Sequence, residues 1–377
     1  MTQQFKMIEG YILTPQGFVR GRLTQQGGRI SAIEGQAVSE AEARHGVQSL
    51  PLVLPGFIDA HVHGGGGRDT MEGGDAARTI ARLHVRHGTT ALLATTMTAP
   101  LDEIRAALTA LGPVCRERAP GTARVLGVHL EGPYINPGKL GAQPDFAKSA
   151  SLDEVKALHA LAPIRLITLA PEVPGLMELI KPLREAGFQV QIGHSAGTYE
   201  DGVSALERGA GGFTHLFNAM TGLHHREPGM VGAALAHARY AEIIPDLLHV
   251  HAGAVRVALR AIPCMYCVTD STAAAGMPDG DYRLGRHTVT KCMGGVRLAD
   301  GTLAGSTLTM DQALRNLVGL GLDIEDASRR VSSYAAEYLG LSDRGHLDAG
   351  AWADLVVVNR DLQLQRVIVE GEEIELE

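Results

Sequence analysis

The chain is poor in cysteine, has no cluster of basic residues and contains no long apolar run, and each absence narrows its class. Its 4 cysteines (Cys115, Cys264, Cys267, Cys292) cannot supply a disulfide framework for 377 residues, which suits a reducing compartment. Cys264-Met265-Tyr266-Cys267 is a CxxC, but no second pair accompanies it, and it leads into an apolar segment where a small buried thiol is ordinary. The formal charge of −8, without clustered Lys and Arg, leaves no footprint for nucleic acid. No apolar run approaches the roughly 18 residues of a membrane span, and the N-terminus shows no apolar h-region, so a cytoplasmic protein without a membrane partner is expected. Repeats of a solenoid period and low-complexity segments are also missing, which excludes stacked-repeat architectures.

What is present is an alternation. Leu54 to His63, Thr90 to Met97, Val125 to Glu131, Ile164 to Ala170, Phe188 to His194, Gly212 to Leu216, Ala241 to Val250 and Tyr266 to Asp270 read as buried strands, near-continuous in hydrophobic residues as parallel strands are. Between them, Thr79 to Arg86, Leu101 to Leu111, Leu152 to Ala160, Gly175 to Ala186 and Tyr199 to Arg208 have a helical spacing. The expected fold is therefore an α/β (β/α)8 TIM-type barrel, with functional groups at the C-terminal ends of its strands. The chain exceeds the typical barrel of about 250 residues, which leaves room for a small module. Short β-like pieces at Phe5 to Leu13, Phe18 to Leu23 and Ile30 to Gly35, and two more at Leu355 to Val358 and Val367 to Val369, place that module at the termini. The expectation is a small β-sandwich domain from residues 1–52 and 350–377 around a barrel spanning 53–349; two independent tails would leave the last two pieces exposed.

Ligand-type residues sit where such a barrel would bring them together. Glu131, His194 and His215 close three candidate strands. Any one of 16 histidines is more simply a structural residue, but a carboxylate and two imidazoles at strand ends form a divalent-metal set. His61 and His63 close the first strand two residues apart, so both rings face the same way and could hold a second ion. Asp270 ends the eighth strand with no neighbouring Lys or Arg in sequence; beside a metal-activated water it could carry a proton, while the blander role is to cap the Ser271-Thr272 turn. Two histidines and a carboxylate accept zinc, iron, manganese or cobalt, with zinc the foremost expectation.

The segments HLEGPYIN (His129 to Asn136), GHSAGTYEDG (Gly193 to Gly202), THLFNAMTGLHHREPG (Thr214 to Gly229), VTDSTAAAGMPDG (Val268 to Gly280) and LAGSTLTMDQALRN (Leu303 to Asn316) resemble the N-acetylglucosamine-6-phosphate deacetylases of the amidohydrolase superfamily. The resemblance runs in order over nearly the whole chain. It implies metal ligation by Glu131, His194 and His215, and an acid/base role for Asp270. It further implies sugar contacts from Asn218, Ala219, Ala142 and the Leu303, Ala304, Gly305 loop. Phosphate contacts would come from Arg226 and His249, partly across a homodimer interface. Independently of the family, a guanidinium is suited to a bidentate grip on phosphate.

Two segments depart from the family pattern. The loop after the third strand reads Leu140-Gly141-Ala142-Gln143, where the family usually has lysine-glycine-alanine-histidine. Gln143 can donate a hydrogen bond to a developing oxyanion but cannot carry positive charge, so slower turnover or a different substrate is expected. The segment Ile244 to His249 has Pro245 and Leu247 in place of the usual alanine and glycine. The activity these residues imply is hydrolysis of the acetamide of N-acetylglucosamine 6-phosphate. The galacto epimer or another N-acyl substrate remains open, as does, in another class, a catalytically weak sugar-phosphate-binding protein.

Overall fold

A computed structural model describes residues 6–376. Its centre is the expected barrel of eight parallel strands, which run Phe57–Val62, Thr89–Thr95, Arg124–Glu131, Ile164–Leu169, Gln189–Ile192, Gly212–Phe213, Tyr240–Ile243 and Cys264–Cys267. The first six pair in sequence order in one sheet, and the last two pair with each other. Backbone bonds close the ring: Leu216 N–H donates to Glu242 O (2.9 Å), and Asp270 N–H donates to His61 O (2.9 Å). The second strand is buried at every position, as its uninterrupted apolar run requires.

The helices follow their periodicity. In Leu176–Glu185, the residues Leu176, Leu179, Ile180 and Leu183 form the buried stripe, at the spacing of one helix face. Tyr199–Glu207 begins at Thr198, whose hydroxyl accepts from Asp201 N while the Asp201 carboxylate accepts from Thr198 N.

The expected strand from Leu54 to His63 is in fact two. Leu52–Pro55 joins the terminal sheet, and the chain re-enters the barrel at Gly56, where a Cβ would lie 2.3 Å from Thr90 Oγ1. The expected Ala241 to Val250 strand stops at Ile243, because Pro245 cannot continue a ladder and the apolar residues beyond it form a loop. A three-stranded antiparallel hairpin unit (Gly280–Leu284, His287–Cys292, Gly295–Arg297) and four helices after residue 250 were not legible as separate elements.

The first β-like piece begins outside the described residues at Phe5 and is a strand over Lys6–Thr14. It lies in one mixed seven-stranded sheet, in the order Glu372–Ile374, Leu364–Val369, Leu355–Val358, Leu52–Pro55, Lys6–Thr14, Gly17–Gln26, Arg29–Ala37. The sheet curls until Ile30 N donates to Ala351 O and Gly350 N donates to Ile30 O (2.9 Å each). It thereby encloses Ile8, Ile12, Leu23, Val53, Leu355, Val357 and Ile368, so a single curled sheet stands where a sandwich of two was expected.

This sheet is tied to the barrel by charge. Glu370 accepts from Arg118 (3.1 Å), Arg124 (2.8 Å) and Arg344. Burial alone would raise the Glu370 carboxyl, but hydrogen bonds from Arg124 and Arg344 hold it down from 4.5 to about 2. Because the folded value is depressed, its stabilisation is complete above the unfolded pKa and is lost as pH falls from about 4.5 towards 2. Glu370→Ala leaves Arg124 without a carboxylate and takes one of two from Arg118 and Arg344, which keep Glu372 and Asp354; it is expected to cost about 3 kcal/mol at neutral pH. In urea titrations, the gap to the wild type should narrow as pH is lowered towards 3.

Candidate metal centre

Alternation along the first strand turns Asp59, His61 and His63 inward, and Glu131 enters from the third strand. His194, His215 and Asp270 lie just past the ends of the fifth, sixth and eighth strands, with φ of 47°, 28° and 49°. A non-glycine residue in this left-handed region costs roughly 1–3 kcal/mol. Its recurrence at three chemical positions marks them as held in place by their surroundings.

The groups meet around one carboxylate. Glu131 Oε1 lies 3.2 Å from His194 Nε2 and 3.1 Å from His215 Nε2, and Oε2 lies 3.1 Å from His63 Nε2. Asp270 Oδ1 is 3.4 Å from His61 Nε2 and 3.3 Å from His63 Nε2. Three buried donor sets result, Glu131/His194/His215, His61/His63/Asp270 and, deeper in the barrel, His61/His129/Glu242.

The chemistry of the first set fits a divalent cation. His194 Nδ1 is 2.8 Å from the Lys139 carbonyl, which has no hydrogen to offer, so Nδ1 carries the proton and Nε2 presents its lone pair to Glu131. A lone pair facing a carboxylate and a second imidazole nitrogen at 3.1 Å is repulsive unless positive charge lies between them. His61 is likewise anchored from outside, with Nδ1 3.0 Å from Glu242 Oε2 and Nε2 towards the cluster, and the surrounding carboxylates favour its charged form.

Asp270 sits where burial would push its carboxyl up. The charge on His61 and the hydrogen bond from His63 prevail, however, and lower it to about 2, so it is present as a base. Its carboxylate faces the histidines, and the turn-capping role is not what the geometry displays.

Above the cluster lies a cavity of about 240 Å³ lined by His63, Glu131, Ala142, Gln143, His194, His215, Asn218, Ala219, His249, Asp270, Leu303 and Gly305 among others. Ala304, between the last two, is buried in the hairpin core. Arg226 lies outside this lining, exposed on the loop after the sixth strand, with Nη1 2.8 Å from His225 Nε2. His249 does line the cavity. Burial works to lower its imidazole, but the Asp246 carboxylate, 2.7 Å from Nδ1, raises it above the ordinary value.

The departure at Leu247 leaves the loop in its glycine-like conformation. Leu247 has φ +64°, while Asp246 Oδ1 accepts from Leu248 N and His249 N at 2.9 Å each. Gln143 is held at both ends: its Oε1 accepts from Thr98 N (2.7 Å) and its Nε2 donates to Glu131 Oε2 (2.6 Å). These partners fix which end of the amide faces the cluster.

Several participants were not singled out from sequence. Glu242 has no exposed surface and accepts from Tyr266 OH (3.4 Å) as well as orienting His61. The available signal was a lone carboxylate inside an apolar strand. His129 precedes Glu131 by two residues and therefore faces the same barrel interior, where it bonds Thr168 Oγ1 (2.7 Å). Cys264 and Cys267 are buried and unpaired, and among the described residues no metal-ligating group includes them.

Imidazoles and carboxylates gathered at the strand ends of an α/β barrel define a metal-dependent barrel hydrolase, and the chain belongs to the amidohydrolase family, whose model matches residues 52–374. Within it, the chain is similar to the N-acetylgalactosamine-6-phosphate deacetylase of Escherichia coli O157:H7, at 39% identity over 96% of this chain and 97% of that one. It is equally similar to the N-acetylglucosamine-6-phosphate deacetylase of Lysinibacillus sphaericus, at 40% identity over 90% and 88% of the two chains. Among solved structures, the N-acetylglucosamine-6-phosphate deacetylase of Thermotoga maritima superposes with a TM-score of 0.90 at 33% identity, covering 98% of this chain and 99% of that one. A mutant of the Mycobacterium smegmatis enzyme in complex with N-acetyl-D-glucosamine-6-phosphate gives 0.90 at 31% identity, with 99% and 100% covered. No helix among the described residues is long and apolar enough to cross a membrane.

Proposed function

We propose that this protein hydrolyses the acetamide of N-acetylglucosamine 6-phosphate to glucosamine 6-phosphate and acetate, in cytoplasmic amino-sugar catabolism. The observation that carries this reading is the convergence of an ionised Asp270, Glu131 and four imidazoles at the foot of a cavity that also holds an amide donor, Gln143. Glu131, His194 and His215 would hold one divalent ion, zinc foremost, and His61 and His63 a second. A bound ion supplies a lowered pKa for water and a polarised amide carbonyl.

The protein's own residues do the rest. Asp270 accepts the proton released as water adds to the carbonyl carbon. The second N–H of the Gln143 amide, not engaged by Glu131, donates to the oxyanion that forms. As the C–N bond breaks, Asp270 returns its proton to the amine nitrogen, and acetate leaves with the free amino sugar. Asn218 and Ala219 position the sugar with Ala142 and the 303–305 loop, and His249 meets the phosphate. Arg226, exposed in one chain, supplies its bidentate grip from a second copy in a homodimer.

The galacto epimer is a second reading, favoured by the 39% identical relative that bears that name. Both readings predict acetate release from 6-phosphorylated N-acetylhexosamines and little from unphosphorylated N-acetylglucosamine, compared side by side with the metal-reconstituted protein. Release from none of the three, with metal bound, overturns both. Gln143→Ala is expected to lower kcat about 100-fold, the size of a lost oxyanion donor, with KM changed only a few-fold. A KM change with kcat intact would place Gln143 in substrate binding instead.

A further inference from the structure

The cavity lining is divided by polarity across the barrel. His194, Asn218 and His249 come from loops after the fifth, sixth and seventh strands. Facing them from the second-strand side are Met97 and, from the hairpin unit, Leu284. Both are nearly inaccessible, at 2% and 1% exposure. They pack with Ala274, Val289, Val296 and Ala304, and Ala142 rests against the same cluster. The hairpin presses on Met97: Gly285, at φ +54°, leaves only 3.1 Å between the place of a Cβ and Met97 Cβ.

On the deacetylase reading, the reacting carbonyl would sit over the cluster, between these flanks. Its proposed oxyanion donor, Gln143, is anchored on the amide of Thr98, the residue after Met97. Sugar hydroxyls and a phosphate desolvated against Met97 and Leu284 would lose hydrogen bonds with nothing in return, so the sugar belongs on the polar flank. The other substituent of the carbonyl carbon is then directed to the apolar flank.

We infer that Met97 and Leu284 form an acyl wall that contacts the methyl group of the substrate acetamide and sets the length of N-acyl chain the enzyme accepts. This rests on the deacetylase reading above. Leu284 is fixed by the hairpin core, whereas Met97 is unbranched and flexible, so shortening either opens space for added methylenes. A pocket that fits one methylene fewer discriminates by roughly tenfold or more.

The test compares N-acetyl-, N-propionyl- and N-butyryl-glucosamine 6-phosphate with wild type, Met97→Ala and Leu284→Ala, following release of the free amine. In the wild type, kcat/KM should fall about tenfold or more from acetyl to butyryl. Each variant should raise the butyryl-to-acetyl ratio about tenfold. The two side chains come from separate elements, so misfolding of one variant leaves the other decisive. An unchanged ratio in the folded variants, or loss of all three substrates with metal retained, overturns the acyl wall. No amine release from the N-acetyl substrate by the metal-loaded wild type overturns the deacetylase reading itself, which is a separate and recognisable outcome.

Discussion

Asp270→Asn is expected to reduce acetate release by about 1000-fold or more while the protein keeps the ion held by Glu131, His194 and His215. The substitution preserves shape and replaces a proton acceptor with an amide that cannot take up or return a proton at neutral pH. Asp270 is suited to both transfers by its surroundings. Buried beneath the cavity, it stays ionised because His61 and His63 lie 3.4 and 3.3 Å away, so it meets the substrate as a base. In the proposed mechanism it would then hold the proton beside the nitrogen that leaves. Asp270 is absent from the Glu131/His194/His215 donor set, so that ion should survive the change. Acetate release and metal content measured on the same preparation decide the matter. Parallel loss of metal and activity would make Asp270 a ligand, and full activity would remove it from the chemistry.

Most of the barrel was legible because parallel strands buried on both faces must be apolar throughout, and such runs survive without knowledge of their partners. What escaped notice has physical causes. The Leu54 to His63 run hid a change of sheet, since Leu52–Pro55 and Phe57–Val62 are equally buried and only Gly56, wedged against Thr90, marks the boundary. The hairpin at residues 280–297 reads as a polar loop because few of its residues turn inward: Leu284, Val289 and Val296 are buried, with Tyr282 half-buried against them. Glu131, His194 and His215 were legible because chemistry restricts which residue types can end three strands together. Glu242 and Thr98 were not, because they act on His61 and Gln143 through hydrogen bonds that leave no spacing in the sequence. Arg226 falls outside the lining in one chain, so the phosphate role proposed for it would require a second copy, which sequence periodicity does not describe.

Glu131→Gln should have the opposite signature to Asp270→Asn: loss of metal first, and loss of turnover as its consequence. Among the described residues, Glu131 is the only carboxylate within 3.2 Å of His194, His215 and His63 together, and it also receives the Gln143 amide at 2.6 Å. Its carboxyl is held well below the ordinary range. Burial opposes this, but the positive charge on nearby His61 outweighs it. A neutral amide there puts an N–H or a weaker acceptor where a cation needs negative charge. Removing outer partners of a metal site already costs 10–100-fold in affinity, so replacing the central carboxylate should cost more than about 100-fold. After dialysis the wild type should retain metal and the variant should not, and once both are stripped with a chelator, added zinc should raise Tm far more in the wild type. Because Gln143 and Asp270 remain in place, saturating metal should restore part of the turnover in Glu131→Gln, whereas no metal concentration should rescue Asp270→Asn. If excess metal restores neither binding nor turnover, the carboxylate is needed to hold the four imidazoles in position as well as to bind the ion.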